Sequence, residues 1–454
     1  MYEAEQKAEF DLLMDSQHWS AERLLALQRQ RLEGLLRHAY AHVPFYAQRL
    51  EPLFRTDGTV DWEQWTELPP LRRSDLIAGR RALLARIVPR GHGEIGDIST
   101  SGSTGTPVTT SHSQLALALS QAAVYRANVN DGLDFAGTMG MWLGEKAGVA
   151  AWPDGKIGGR WGPAWDARAS EGKSVTISHT TPGDQALEFM GRHAVRYMMM
   201  GGTDARLLAH EARRLGVSLP VEAILTRGTD ATEAGRALIA EVFGARTLGL
   251  YSSKEGHRMA HPCPDCGRWH VNDEQVLVEI LGEDNRPVAP GEAGRVVVTP
   301  FNSFAQPLIR YEQGDLARRG AVGGCRRGLS TIEAIVGRVR HMFVMPDGSR
   351  IVPTLTVAAV QALNAEMFQV AQVSSDTVEV RYLPLHNGNV ADPSAASAEL
   401  AAILHESMQV RFVPAASTLS TSANSGSFSR DRCESTRRCI RSHIRWRSRN
   451  LRAS

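Results

Sequence analysis

Nine consecutive residues, Ser99-Thr100-Ser101-Gly102-Ser103-Thr104-Gly105-Thr106-Pro107, hold the densest potential chemistry in the chain. Five hydroxyl residues and two glycines fill the stretch from Ser99 to Gly105. Glycine lets a backbone approach an anion closely, while hydroxyls and free N–H groups donate to it. The composition therefore suits a phosphate cradle. It is not a Walker loop, because no Gly-Lys-Ser/Thr follows at the required spacing. A flexible Ser/Gly linker has the same composition, and the stretch alone does not choose between the two. A second constellation is Cys263-Pro264-Asp265-Cys266-Gly267, with Cys325 downstream. Cys-x2-Cys followed by glycine is a zinc-knuckle spacing. His257 is taken as the fourth ligand, with His261 and His270 as alternatives; reduced, metal-free thiols are the competing reading. A closed four-ligand site has no open coordination position, so its role would be structural rather than catalytic.

The elements that must position these residues read as follows. Leucines at helical spacing predict a helix over most of 20–50, ended by Pro44 and Tyr46. Leu68-Pro69-Pro70-Leu71 reads as a rigid connector, and Ser74-Asp75 as a helix start. A helix over 113–127 follows the Ser/Gly stretch. From 134 to 260, short apolar runs alternate with helical patterns, which predicts a parallel α/β arrangement. Strands over 195–200, 222–226 and 247–251 lead into Gly201-Gly202-Thr203-Asp204, Arg227-Gly228-Thr229-Asp230 and Ser252-Ser253-Lys254-Glu255-Gly256. Polar, glycine-containing turns at the carboxyl ends of parallel strands are where such sheets hold ligands, although single turns of this kind are also ordinary punctuation. The runs 276–280 and 295–299 predict antiparallel pairing. Beyond about 340 the chain reads as a small α+β domain, with strands over 368–373 and 378–383 and a helix over 395–408.

Composition sets bounds. With 454 residues, 43% hydrophobic, the chain is long enough for two or more domains. A net charge of +2 gives no sign of a nucleic-acid or membrane partner, and no apolar run is long enough to span a bilayer. Five cysteines, an odd number, together with a polar N-terminus, predict a reducing, cytoplasmic setting. The composition leaves a homodimer open. Nine arginines from Arg430 onward face only Asp431 and Glu434, which reads as a solvated basic tail over 430–454. Lysine is scarce: Lys7, Lys146, Lys156, Lys173 and Lys254 are the only ones.

Three later motifs bear on the Ser/Gly stretch: Tyr251-Ser252-Ser253-Lys254-Glu255, Pro307-Leu308-Ile309-Arg310-Tyr311-Glu312-Gln313-Gly314-Asp315, and Gly337-Arg338. With that stretch, and in that order, they resemble the adenylate-forming (acyl-CoA synthetase) superfamily, in its phenylacetate–CoA ligase-like branch. Pro44-Phe45-Tyr46, Trp269-His270-Val271 and Pro346-Asp347-Gly348 also resemble that branch. The resemblance implies an α/β fold: a large multi-sheet N-terminal domain over 1–337 and a small mobile α+β domain over 338–429. It implies ATP, Mg2+ and CoA as ligands. Thr100, Ser101, Gly102, Ser103, Thr104 and Gly105 would hold phosphates, Glu255 the metal, and Asp315 the ribose hydroxyls. Arg338 would meet ribose and phosphate, and Tyr251 would lie against nucleotide and acid. Gly201, Gly202 and Gly228 would wall the acid pocket with Tyr251. The implied reaction is attack of the carboxylate of an aryl or small acyl acid on the α-phosphate, followed by capture of the acyl-adenylate by CoA, an amine or a carrier thiol. The branch often carries Cys-x-Cys-Gly-Arg-Gly where this chain has Gly324-Cys325-Arg326-Arg327-Gly328, so Cys266 would supply the missing ligand. The family's adenylating lysine falls at Ser427, and no lysine follows Lys254. Nucleotide binding with impaired adenylation is therefore a further expectation.

Overall fold

The computed structural model describes residues 2–99, 108–143, 149–228, 230–231, 233–321, 323–338, 343–348, 350–351, 362–363, 365–384 and 392–414. Residues 100–107, Ser427 and the basic tail lie outside the described residues. The chain divides into two compact units: residues 1–101, 107–313 and 317–335 form one, and 102–106, 314–316 and 336–454 the other.

The first unit opens with α1 (Glu3–Ser16) and α2 (Ala21–His42). Ser20 caps α2 through its Oγ, and Leu24, Leu32, Leu35, Leu36 and Ala39 form the buried stripe that holds it down. Val43-Pro44 ends it, as a residue before proline tends to leave the helical region. The short helices α3 (Tyr46–Arg49) and α4 (Arg73–Gly79) follow. Strands β1 (Ile95–Ser99) and β2 (Thr109–Ser113) pair antiparallel, so residues 100–107 connect the two arms of a hairpin. Ser113 then caps α5 (Gln114–Asn130) by accepting the Ala116 N–H at 3.3 Å.

A six-stranded sheet comes next. Its strands are β3 (Met139–Leu143), β4 (Lys156–Gly158), β5 (Ser174–Ser178), β6 (Tyr197–Met200), β7 (Ala223–Thr226) and β8 (Arg246–Leu248). They lie in the order β4-β5-β3-β6-β7-β8, parallel except for the edge strand β4. Helices α6 (Gly183–Arg192), α7 (Gly202–Leu215) and α8 (Glu233–Phe243) cross between strands, as parallel pairing requires. All residues of β6 and β7 are buried, consistent with a sheet covered on both faces. The run read as one strand over 247–251 is two: β8 ends at Leu248, and Tyr251 opens β9 (Tyr251–Ser253) in another sheet. The chain changes sheets at Gly249, where a Cβ would lie 2.7 Å from the Trp269 ring.

The second sheet of this unit contains β9, β10 (His257–Pro262), β11 (Trp269–Val271), β12 (Val276–Leu281), β13 (Ala293–Pro300), β14 (Tyr311–Arg319) and β15 (Thr331–Arg338). Its order is β12-β13-β14-β15-β11-β10-β9, and Val276 pairs with Pro300 through Leu281 with Arg295 in the expected antiparallel manner. In the other unit, β16 (Phe343–Val344) and β17 (Arg350–Ile351) form a hairpin across Pro346-Asp347-Gly348. There β18 (Ala365–Gln372) pairs antiparallel with β19 (Thr377–Pro384), which pairs parallel with β20 (Gln409–Pro414). Helix α9 (Ser394–Ile403) stops earlier than the sequence suggests, and the residues after it turn into β20. Phe343, Phe368, Val370, Val378, Val380 and Leu400 pack that unit's core.

Candidate active site and cysteine–histidine cluster

The base of the hairpin that carries the Ser/Gly stretch is held by polar side chains. Ser99 Oγ and Thr109 Oγ1 lie 2.8 Å apart, and Ser111 Oγ donates to Asp97 Oδ1 at 2.6 Å. The Ser111 hydroxyl and then Arg80, 2.5 Å away, hold the Asp97 carboxyl below its ordinary range. Lys254 Nζ donates to the Ser99 carbonyl, which brings the end of β1 to the turn that carries Glu255. Glu255 is buried there, and the Gly256 N–H donates to Ser253 Oγ at 2.7 Å to close the turn. His257 follows with φ 59°, a left-handed conformation, and its ring packs edge-on against His112 with centroids 4.7 Å apart. Thr110 Oγ1 lies 2.7 Å from His112 Nε2 and Ser303 Oγ 3.2 Å from His257 Nε2. Burial pushes both imidazoles down, His112 to about 4 and His257 to about 3, so both are neutral near pH 7. Neutral rings in direct contact pack without charge repulsion and brace the Glu255 turn against β2.

Sequence reasoning gave no role to Arg310, the centre of one motif. It is fully buried at φ 53°, and its guanidinium donates to the carbonyls of Trp65 at 2.9 Å and Leu68 at 2.5 Å and to Glu279 at 3.2 Å. Its backbone carbonyl accepts from Leu71 N at 2.7 Å. Arg310 thus clamps the proline-rich connector to the start of β14. Asp315 is buried midway along β14, and Arg338 is the last residue of β15. Thr100 to Gly105 lie outside the described residues.

The turns after β6 and β7 meet. A Cβ on Gly202 would fall 2.3 Å from Ala231 N, so the glycine permits backbone contact between the two turns. Gly228 adopts φ 76°, which a side chain would strain. A cleft beside these turns is lined by Asn128, Asp131, Thr226, Arg227, Leu248 and Leu250, among others; Gly201, Gly202, Gly228 and Tyr251 are not part of its lining. Tyr251 is buried in β9.

Cys263, Cys266, His270 and Cys325 come together, with one potential ligand atom from each inside 4.8 Å of the others. Cys263 and Cys325 sulfurs are 3.8 Å apart, and Cys266 Sγ lies 3.4 Å from His270 Nε2. Tetrahedral bonds of about 2.3 Å to sulfur and about 2.0 Å to nitrogen require S–S and S–N edges of about 3.8 and about 3.5 Å. The donor set fits zinc. Gly267, at φ 72°, makes the reversal, its N–H donating to the Cys263 carbonyl at 2.9 Å. Burial raises the Cys263 thiol to about 11, while Arg327 Nη1 sits 3.1 Å from that sulfur, ready to offset thiolate charge. The fourth member is His270, not His257. β10 runs away from the knuckle, and six residues of strand span about 20 Å, which leaves His257 with Ser303 and His112. His261 is also outside the cluster and is buried.

No protein-family model matches the chain. It is 27% identical over 358 residues to a phenylacetate–coenzyme A ligase of Thermus thermophilus, covering 75% of this chain and 76% of that protein. A phenylacetate–coenzyme A ligase of Escherichia coli is 24% identical over 347 residues, covering 72% and 74%. In three dimensions the chain superposes on a 2-hydroxyisobutyryl-CoA ligase in its postadenylation state with R3-HIB-AMP, with a TM-score of 0.68 over 88% of this chain and 87% of that one. The chain is similar in sequence to phenylacetate–CoA ligases and has the fold of the 2-hydroxyisobutyryl-CoA ligase. Sequence identity in that superposition is 17%, so the likeness is one of fold. The same ligase with 2-HIB-AMP and CoA in its thioesterification state superposes with a TM-score of 0.60 and 19% identity. The mixed α/β, multi-sheet architecture expected of the phenylacetate–CoA ligase-like branch is the one observed. Among the described residues, no helix is long and apolar enough to cross a membrane.

Proposed function

We propose that the chain is an ATP-dependent, AMP-forming acid–CoA ligase. A carboxylate oxygen attacks the α-phosphorus of ATP in line, forming the acyl-adenylate and releasing pyrophosphate. The CoA thiol then attacks the acyl carbon, giving the thioester, AMP and a proton. The observation that carries this reading is the Lys254–Ser99 contact, which draws Ser99, the last described residue before the Ser/Gly stretch, to the Glu255 turn in a chain of this fold. In it, Thr100 to Gly105 wrap the phosphates, Asp315 accepts the ribose hydroxyls, and Arg338 meets ribose and phosphate with fork geometry. Tyr251 borders nucleotide and acid. Glu255 is the acid that would hold Mg2+, which suits a hard carboxylate beside phosphate oxygens and would supply charge neutralisation there. We also propose a structural zinc at Cys263, Cys266, His270 and Cys325, which supports the turn joining β10 to β11. The three described cysteines are free thiols, in keeping with a reducing, cytoplasmic setting.

Ser427 favours a second reading, nucleotide binding without efficient adenylation, because the developing charge on carboxylate and α-phosphate lacks its ammonium partner. Pyrophosphate release from ATP with a panel of aryl and aliphatic acids, with and without CoA, tests both. Acid-dependent release with thioester formation supports the ligase. Acid-dependent release indifferent to CoA points instead to an amine or carrier acceptor. ATP binding with no release for any acid leaves the second reading, and recovery of release in Ser427→Lys would locate the defect.

A further inference from the structure

Two sulfurs of the cysteine–histidine cluster come from segments 62 residues apart and meet solvent differently. Cys263 is buried at the start of the knuckle, whereas Cys325 is half-buried on the connection between β14 and β15. Gly323, Gly324 and Arg326 beside Cys325 are exposed, so a small solute has a path to that thiol. The two sulfurs are 3.8 Å apart. Cys266, also half-buried, lies instead 3.4 Å from His270 Nε2. Arg327 Nη1 donates to Cys263 Sγ at 3.1 Å. That guanidinium is held in place by Gln17 Oε1, 3.1 Å from its Nε, and by an ion pair with Asp265. Cys263 therefore has a fixed cation beside it, and Cys325 has access.

An accessible thiolate reacts with peroxide to give a sulfenic acid, and a second thiol beside it condenses with that acid to a disulfide. A disulfide bond is about 2.05 Å long, so a shift of less than about 2 Å in the Cys325 segment closes the gap. We propose that Cys325 and Cys263 are a peroxide-sensitive pair, a site of reversible disulfide formation that empties the cluster of its metal. The proposal rests on the zinc reading in one respect: bound zinc would keep the thiols deprotonated. The Cys325 thiolate attacks one oxygen of hydrogen peroxide; the O–O bond breaks, hydroxide leaves, and Cys325 becomes a sulfenic acid. The Cys263 thiolate, its charge steadied by Arg327, then attacks the Cys325 sulfur. The S–S bond forms as the S–O bond breaks, and a second hydroxide leaves. Two thiolates are oxidised and one peroxide is reduced to two hydroxides. The cluster loses two of its four ligands and with them its hold on the ion.

The test titrates the purified full chain with hydrogen peroxide, follows zinc with a chromophoric chelator, and maps disulfides by differential alkylation and peptide mass spectrometry. A Cys263–Cys325 link is expected to form with release of one zinc per link, and dithiothreitol to restore both thiols. Arg327→Gln keeps all four ligands. In it the link is expected to form about tenfold more slowly, the range for a charge-assisted contact, while dimedone traps more sulfenic acid at Cys325. Arg327→Lys, which keeps a charge, is expected to retain part of the rate. Thermal unfolding shows whether each variant is folded, and the mapping in the unaltered chain decides by itself whether the pair forms. Linkage mainly to Cys266, Cys433 or Cys439 overturns the proposal, as does oxidation of Cys325 to sulfinic acid without a link. An unchanged rate in folded Arg327→Gln overturns it as well. A Cys263–Cys325 link formed in protein that was purified without zinc supports the pair and overturns the zinc reading. One zinc per chain, retained under peroxide with every cluster thiol still reduced, does the reverse.

Discussion

Two pairs of arginines in the first unit have different surroundings, one pair fully buried and the other half-buried. Arg126, on α5, donates to Glu274 at 2.7 Å, Asn272 at 2.6 Å and the Leu13 carbonyl at 3.0 Å, while Ser16 Oγ reaches the same glutamate at 2.6 Å. Arg310 is held in the same way by Glu279 and main-chain carbonyls, although Arg126 Nε has no hydrogen-bond partner among the described residues. No acid perturbs Arg227 or Arg258 among the described residues, although Asp131 lines the cleft with Arg227. A guanidinium that ties together segments distant in sequence holds the fold, whereas one without ion-pair partners contributes less to it. Burial alone does not show which arginines hold the fold; the partner list does.

The cysteine–histidine cluster, the proposed zinc site, is a third case, and it carries the largest expected effect. Purified protein is expected to hold one zinc per chain by elemental analysis. Structural sites of this kind have apparent binding free energies of about 10–16 kcal/mol, so chelation is expected to lower the unfolding temperature by on the order of 10 °C. Less than about half an equivalent, with chelator-insensitive melting, would remove this case from the comparison.

Arg126→Ala comes next. It strands Glu274 in a fully buried site and is expected to cost about 3–5 kcal/mol in denaturant unfolding. A cost below about 1 kcal/mol would mean that the paired arginines are not structural. Arg227→Gln has the opposite expectation: with no partner to strand, the ligand-free protein is expected to lose no stability and to gain up to about 1 kcal/mol. A loss as large as that of Arg126→Ala would erase the distinction.

The smallest effect concerns a carboxylate. Asp273 accepts from Ser330 N at 2.5 Å and Gln28 Nε2 at 3.0 Å, and burial, with the Glu274 charge adding to it, raises its carboxyl to about 7. The folded state therefore holds a proton that the unfolded chain releases near pH 4. This contribution is complete below about pH 4, declines as pH rises to about 7, and is absent above that. Asp273→Asn is expected to flatten the stability profile across that window; an unchanged slope would place the titration elsewhere.

Much of this was readable in the sequence where the pattern is local. The strands ending before Gly201 and Arg227 are apolar runs punctuated by polar turns, and both appear within two residues of expectation. Ser20 and Pro44 mark the ends of α2 as their chemistry requires. What failed depends on contacts distant in the chain. Nothing local shows that Gly249 passes beside Trp269, so one apparent strand became two in different sheets. The choice of His270 over His257 follows from the direction of β10 before the knuckle, which Cys-x2-Cys spacing does not encode. The unpartnered state of Arg227 and Arg258 is invisible in sequence, because an arginine is notable there only once its neighbours are known.

The most direct test of acid activation is pyrophosphate release from ATP by the purified chain across the acid panel, in the presence of CoA. Release is expected to require a carboxylic acid, to be slow because Ser427 stands where an ammonium is needed, and to be accompanied by equal amounts of AMP and thioester. ATP bound by the folded protein with no pyrophosphate for any acid, in the wild type and in Ser427→Lys alike, would contradict it.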